Sequence, residues 1–341
     1  MTSWLIKQWY DNPSPSLILR LISLLYRLII RLRLMFYRFG IFKQTRLPVP
    51  VIVVGNVTVG GTGKTPLVIY IAQALIALGY RPGVISRGYG RARHTPMRVK
   101  KNMSAAQVGD EPLMMSAHLP CPIWVGARRI ETAKRLLSAT PQVDVILCDD
   151  GLQHYALARD IEVLVFDAER GIGNGYLLPA GPLREPVSRI QSADFAVING
   201  KPTKPWGWLK QIAQVQMHFQ LGKLAAVNDK VVKQKSKMLS SLKGKKVHAV
   251  AGIGNPDRFF KALRAQGLIV QPHAFQDHHD YQVQDFEGMQ DAPIIMTEKD
   301  AVKCREFHLA QAWFVPITAS LDAKLIKYLD NRLQTLRGQH G

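Results

Sequence analysis

PVIVVGNVTVGGTGKTPLVIYIA, residues 50–72, joins a β-branched run to a glycine-rich turn and then to an apolar segment opened by Lys64 and Thr65. The β-branched run reads as a buried parallel strand, and the apolar segment as a helix. Strand, glycine loop, Gly-Lys-Thr and helix is the order of a phosphate-binding P-loop. Small residues let backbone N–H groups curl around an anion, and the helix N-terminus adds partial positive charge. The cradle runs Thr58, Val59, Gly60, Gly61, Thr62, Gly63, Lys64 and Thr65. Lys64 places a point charge at the outer phosphates, and the Thr65 hydroxyl is a ligand for Mg²⁺. The usual spacing puts a glycine where this chain has Thr58; the competing reading is a tight turn with an exposed lysine.

The chain has 341 residues, enough for about two domains of ordinary size. Its formal charge of +20 calls for an anionic partner: nucleic acid, a membrane surface or a phosphorylated ligand. The cysteines, Cys121, Cys148 and Cys304, lack metal-ligand spacing, which points to a reducing compartment without disulfides.

Working outward towards the N-terminus, Asn12-Pro13 marks a helix start, and residues 16–42 are strongly apolar but interrupted by arginines. At ~100° per residue, Arg20, Arg27, Arg31 and Arg38 fall within roughly 20° of one direction. Leu21, Leu24, Leu28, Leu32, Met35 and Phe39 form a broad neighbouring face. Aligned arginines are too costly for the middle of a bilayer, but suit a helix lying at anionic headgroups with its leucines below them. The alternatives are an amphipathic helix packed on its own domain and a true span. No small-residue cleavage site follows, so a signal peptide is not expected. Alignment with leucines rather than stacking aromatics argues against nucleic acid.

Towards the C-terminus, residues 84–86, 123–125, 143–148, 161–166 and 195–198 read as further strands with helical crossovers. The fold class is therefore α/β, a P-loop parallel sheet with its ligand at the strand C-termini. Residues 143–148 end in Asp149 and Asp150, the Walker-B position that holds Mg²⁺ directly or through water. Gln153 and His154 project from the same strand end towards a ligand. RGYGRAR, residues 87–93, is a solvated or anion-facing loop, and Gly109-Asp110-Glu111-Pro112 opens a helix with acidic first-turn residues. The segment 171–186, rich in glycine and proline, carries Arg184-Glu185; so long an irregular stretch is functional or disordered.

Residues 201–246 are lysine-rich, and residues 215–221 alternate as a strand that pairs with 224–227 in a small hairpin. A second α/β unit follows, with strands at 247–251, 269–275, 294–296 and 313–317 and a lone Gly-x-Gly at 252–254. In it, Asp277-His278-His279-Asp280-Tyr281 suits acid–base work, metal binding or a satisfied loop. Residues 297–300 read as a helix cap with exposed charges.

GNVTVGGTGKTP, SRGYGR, GDEP, DDGLQH, PAGPLREP, the Asp-His of QDHHDY, and MTEKDAVKC, in this order, resemble the motif series of the tetraacyldisaccharide 4′-kinases, the lipid A pathway kinases of Gram-negative bacteria. The resemblance runs from about residue 50 to 304. It implies transfer of the ATP γ-phosphate, with Mg²⁺, to the 4′-hydroxyl of tetraacyldisaccharide 1-phosphate, giving lipid IVA at the cytoplasmic face of the inner membrane. The enzyme would be peripheral or monotopic and would meet anionic lipids there, with no nucleic acid involved. It implies Asp110 as base oriented by His278, preferred over His279 because it directly follows the aspartate. Lys64 and Thr65 are placed at phosphates and Mg²⁺, Asp149 and Asp150 at metal and substrate, and Arg129, Gln153, Arg184 and Glu185 at the disaccharide. The implied organisation is a membrane helix (1–45), a kinase core (46–200), a β-hairpin linker (201–246) and a smaller C-terminal α/β domain (247–341). A P-loop targeting or metal-insertion factor is the rival; it requires a guanine-reading Asn-Lys-x-Asp, and Asn199-Gly200-Lys201-Pro202 lacks the aspartate.

Overall fold

The structure, a computed structural model, describes residues 3–11, 14–91, 95–202, 206–228 and 236–338. The Asn12-Pro13 helix start and part of the 87–93 loop lie outside the described residues. Helices α1 (Ser3–Tyr10) and α2 (Leu17–Arg38) precede β1 (Val51–Gly55) and α3 (Lys64–Ala77). There follow β2 (Pro82–Ser86), β3 (Met97–Arg98), α4 (Ala105–Val108), α5 (Asp110–His118), β4 (Ile123–Val125), α6 (Arg129–Ala139), β5 (Val145–Asp149), β6 (Ile161–Asp167) and β7 (Phe195–Asn199). The rest comprises β8 (Ala213–Leu221), β9 (Leu224–Ala226), β10 (Ser236–Lys237), β11 (Lys246–Ala251), α7 (Pro256–Ala265), β12 (Ile269–Ala274), β13 (Ile294–Thr297), α8 (Glu298–Cys304), β14 (Ala312–Val315), β15 (Ile317–Leu321) and α9 (Lys324–Gly338).

One sheet is nine-stranded, in the order β15-β8-β7-β6-β1-β5-β2-β4-β3, and the other six-stranded, β10-β9-β14-β13-β11-β12. Every residue of β1 is buried, as its β-branched composition requires of a strand covered on both faces. It runs parallel to both neighbours, with Val54 opposite Asp149 of β5 and Val163 of β6. This register brings the P-loop and the aspartate pair to the same sheet edge, where chain order reverses around β1. On α3, Leu67, Val68, Ile71 and Leu75 are buried against the sheet, and Leu325, Leu329 and Leu333 of α9 join the same core.

Three expectations are corrected. Residues 215–221 and 224–227 do not pair: β8 is flanked by β7 and β15, while β9 lies between β10 and β14. Both edges of β8 are already occupied, so Gly222 and Lys223 carry the chain from one sheet to the other rather than closing a hairpin. Residues 313–317 are not one strand either. Pro316 cannot donate a ladder hydrogen bond, and there β14 of the small sheet gives way to β15 of the large one. The chain beyond it thus returns to the nine-stranded sheet instead of completing the C-terminal unit, and the leucine stripe of α9 buries beside α3.

Helix α2 stops at Arg38 and rests on the protein by its polar flank. Ser23 Oγ donates to Leu177 O at 2.8 Å, Tyr26 Oη to Arg184 O at 3.2 Å, and Arg33 Nη2 to Gln153 O at 3.2 Å. Its apolar face points away: Leu17, Ile18, Leu21, Leu25 and Leu28 are all more than half exposed. Arg27, Arg31 and Arg38 are exposed alongside it. Among the described residues, no helix is long and apolar enough to cross a membrane.

Candidate active site

The P-loop turns at Gly63, the N-cap of α3, whose φ of +95° is left-handed. A Cβ there would fall 2.7 Å from Asn199 Nδ2, so both backbone shape and space require glycine. Lys64 Nζ donates to Asn56 Oδ1 at 3.2 Å and lies 3.6 Å from Asp150 Oδ1. Arg184 Nη2 reaches the same Asp150 oxygen at 3.0 Å and also bonds Asn56. Burial alone would raise the Asp150 carboxyl, but Lys64 and Arg184 outweigh it and hold it well below the usual range. Asp150 sits at a φ of +46°, unusual for a residue with a side chain and typical of functional sites.

Asp149 is different. It is fully buried; Ser86 Oγ donates to its Oδ2 at 3.1 Å, and Oδ1 has no hydrogen-bond partner among the described residues. Burial, with the Glu111 and Asp150 carboxylates, pushes it up to about 7. His154 is pulled down to about 4 by burial and by the Arg129 and Arg87 guanidiniums, so it is neutral near pH 7.

The glycine- and proline-rich segment explains the missing P-loop glycine. Thr58 is buried and pairs with Leu183 in an isolated antiparallel bridge, while Val59 N donates to Pro182 O at 2.9 Å and Arg184 N to Val57 O at 2.7 Å. Extended backbone suits a β-branched residue, so threonine is accommodated where a turning P-loop has glycine. The same segment aims Arg184 at Asp150 and buries Glu185 completely, where it accepts from Tyr155 Oη.

Asp110 is the first residue of α5 and is 5 % exposed. Its Oδ2 lies 2.9 Å from His278 Nδ1, and its Oδ1 accepts from the Glu111 N–H at 2.8 Å. Burial raises this carboxyl, yet the His278 hydrogen bond and the Lys299 and Lys303 ammoniums more than offset it, leaving it below the usual value. His278, which burial lowers, is raised overall by that bond and by the Asp110 and Asp277 charges, against the opposing Lys299 charge. The Tyr89 ring packs on the imidazole with centroids 4.5 Å apart. His279 pairs instead with Asp285, at 2.9 Å.

A family model described as tetraacyldisaccharide-1-P 4′-kinase matches residues 15–334. This chain belongs to that family. The tetraacyldisaccharide 4′-kinase of Methylobacillus flagellatus is 46 % identical over 333 residues, covering 98 % of this chain and 96 % of its own. That of Nitrosococcus oceani is 44 % identical over 323 residues, covering 94 % and 92 %. The crystal structure of the "apo" form of LpxK from Aquifex aeolicus in complex with ATP superposes with a TM-score of 0.76 at 30 % identity, covering 92 % of this chain and 97 % of that one.

Within this family fold, the residues read from the motifs gather around one sheet edge. Lys64, Asp150, Arg184 and Gln153 share a network through Asn56, since Gln153 Nε2 and Arg184 both reach Asn56 O, Lys64 reaches its Oδ1 and Arg184 bonds Asp150. Arg129 opens α6, buried, with Nη1 donating to Gly126 O at 2.6 Å and Nε without a hydrogen-bond partner among the described residues. Other residues carry the site without having been singled out. Asn56 accepts from both Lys64 and Arg184. Asn199 Nδ2 donates to Thr62 O at 3.0 Å, and Arg258 Nη2 on α7 donates to Asn199 Oδ1 at 2.7 Å. The Gly-x-Gly turn at 252–254 abuts the P-loop so closely that a Cβ on Gly254 would lie 2.3 Å from Gly61 N. The expected exposed charges at 297–300 are not exposed: Glu298 and Asp300 are buried, and the Lys299 side chain is 13 % exposed. Thr297 does cap α8, accepting from Asp300 N. Asn56 stood inside the quoted GNVT motif and Lys299 inside MTEKDAVKC, but neither residue type announces such a role by itself.

Proposed function

We propose that this chain transfers the γ-phosphate of ATP to the 4′-hydroxyl of tetraacyldisaccharide 1-phosphate, forming lipid IVA in lipid A synthesis. The observation that carries this reading is the Asp110–His278 contact of 2.9 Å, a buried carboxylate bonded to a half-buried imidazole. Phosphoryl transfer asks mainly for positioning and charge stabilisation, plus one group to take the hydroxyl proton late in a loose transition state. Asp110, held below the usual carboxylate range, is ionised at neutral pH and accepts that proton. His278 donates to it from Nδ1 and keeps it aimed. The loop from Thr58 through Val59, Gly60, Gly61, Thr62 and Gly63 to Lys64 and Thr65 wraps the phosphates. Asp149 and Thr65 fit Mg²⁺: the unpartnered, buried Asp149 Oδ1 is a carboxylate oxygen awaiting a cation. That ion would neutralise phosphate charge. Asp150, occupied by Lys64 and Arg184, orients those cations. Gln153, His154 and Arg184 form the acceptor wall, with the buried Arg129 and Glu185 supporting it from behind, and it is reached from α2, whose outward apolar face and flanking arginines fit the anionic cytoplasmic leaflet of the inner membrane. The small sheet forms a second lobe whose His278 loop and 252–254 turn close on the core.

The test is ³²P transfer from labelled ATP to disaccharide 1-phosphate in detergent micelles, with GTP as control. Asp110→Ala is expected to lower kcat by about 10²- to 10⁴-fold, the usual contribution of a positioned base. Nucleotide hydrolysis without lipid labelling would favour a nucleotide-dependent targeting or metal-insertion factor.

A further inference from the structure

We infer that Lys299 is a positioning residue for the Asp110–His278 pair: its ammonium, bonded to His278 Nε2, holds the imidazole in the tautomer that presents Nδ1–H to Asp110. The inference rests on the catalytic reading of that pair and extends it to a residue on another element. Lys299 Nζ lies 3.3 Å from His278 Nε2, 3.1 Å from Glu111 Oε1 and 3.0 Å from Asp277 Oδ1. An ammonium has donors and no acceptor. Whatever nitrogen it bonds in an imidazole must offer a lone pair. Nε2 is therefore the unprotonated nitrogen, and the ring proton sits on Nδ1, facing the Asp110 carboxylate.

The neighbouring carboxylate shows why this needs enforcing. Asp277 Oδ1 is 3.8 Å from His278 Nε2, just beyond hydrogen-bond reach, with Lys299 bonded to both. Without the ammonium, Asp277 is free to close on Nε2 and draw the proton there. The Nδ1 lone pair would then face the Asp110 carboxylate, turning an attractive contact into a repulsive one. Lys299 also opposes a second proton on the ring, because an imidazolium would aim N–H at an ammonium 3.3 Å away.

The rest of α8 fixes the register of both partners. Glu298 Oε1 pairs with His118 Nε2 at 2.7 Å at the far end of α5, and Lys299 holds Glu111 next to Asp110. One turn on, Lys303 Nζ donates to His279 O at 2.9 Å, tying down the loop in which His278 adopts a φ of +63°. Burial disfavours the charged Lys299, but the Glu111, Asp110 and Asp277 carboxylates reverse this and keep it cationic at every physiological pH.

The decisive measurement is the ¹⁵N spectrum of the full-length protein labelled at histidine, with His278→Gln assigning the resonances, at a pH above the His278 titration. A protonated Nδ1 and an acceptor-type Nε2 are expected; a protonated Nε2 in the wild type overturns the inference whether or not any variant folds. Lys299→Met is expected to move the proton towards Nε2. It should lower kcat about ten- to a hundredfold, part of what a positioned base supplies, with the KM for ATP within about twofold. Lys299→Arg should restore the tautomer and part of kcat. A folded Lys299→Met enzyme with wild-type kcat and tautomer refutes the role. If Asp110→Ala keeps full turnover, the catalytic reading fails instead, and the tautomer result still decides what Lys299 does.

Discussion

Replacing Leu21, Leu25 and Leu28 on α2 with glutamine should detach the protein from anionic vesicles while leaving its fold intact. These side chains are 58 %, 59 % and 53 % exposed, so roughly half of each is open to an apolar medium. Full burial of a leucine is worth about 1.5–3 kcal/mol, so each contributes about 1 kcal/mol on insertion and the three together about 3 kcal/mol. At 1.4 kcal/mol per decade, the partition coefficient should fall about a hundredfold. Glutamine is nearly as good a helix former as leucine, and exposed substitutions change stability by only about 0.5 kcal/mol. Sedimentation with vesicles of stated anionic content reads the partitioning, and thermal melting reads the fold. If the variant binds vesicles as the wild type does, the outward face is not a membrane contact. If it melts far lower, that face is buried against protein.

His118 sets a pH dependence of stability. Its hydrogen bond to Glu298 raises it above the ordinary value of 6.5 despite burial, so the folded state binds the proton more tightly than the unfolded state. The stabilisation, about 1.5–3 kcal/mol for a charged hydrogen bond, is complete below the unfolded pKa and is lost as pH rises through the folded one. The melting difference between wild type and His118→Ala should be largest on the acid side of pH 6.5 and shrink above it; a pH-independent difference would contradict this. Gly254→Ala puts a methyl 2.3 Å from Gly61 N, so the 252–254 turn must withdraw from the P-loop. Turnover should drop by about tenfold or more with little change in melting. Leu329→Ala, fully buried between α9 and the large sheet, should cost about 2–5 kcal/mol in denaturant unfolding. A cost under ~1 kcal/mol would mean α9 is not part of that core.

The large sheet was legible because its strands announce themselves twice. β1, β5 and β6 are buried throughout and mostly apolar, as strands covered on both faces are, with Glu162 inside β6 and Asp149 and Asp167 at the strand ends, and each is followed by a turn that breaks the pattern. What periodicity does not carry is the choice of partner. Residues 215–221 alternate as a strand and a short connection leads to 224–227, which suggests a hairpin, yet their edges are taken by strands distant in sequence, β15 and β14. Likewise 313–317 looked continuous, and only the absence of an N–H at Pro316, weighed against two competing sheets, separates β14 from β15.

The site divides along the same line. Lys64 and Thr65 were nameable because a P-loop confines them to consecutive residues, and Asp149 because it ends an apolar strand, β5; Asp110 and His278 were named from the motif series. The residues that hold these groups were hidden because their work is done across the chain. Arg258 reaches the P-loop through Asn199, and Lys299 reaches Asp110 through Glu111 and His278, each joining the small sheet to the large one. A lysine after a helix cap is, in one dimension, a solvated charge. It becomes something else only when three groups from two other segments converge on it and it cannot lose its proton. The physical signature is therefore a buried cation whose bonds cross between lobes, and α8, short as it is, carries the one that both halves of the Asp110–His278 pair need.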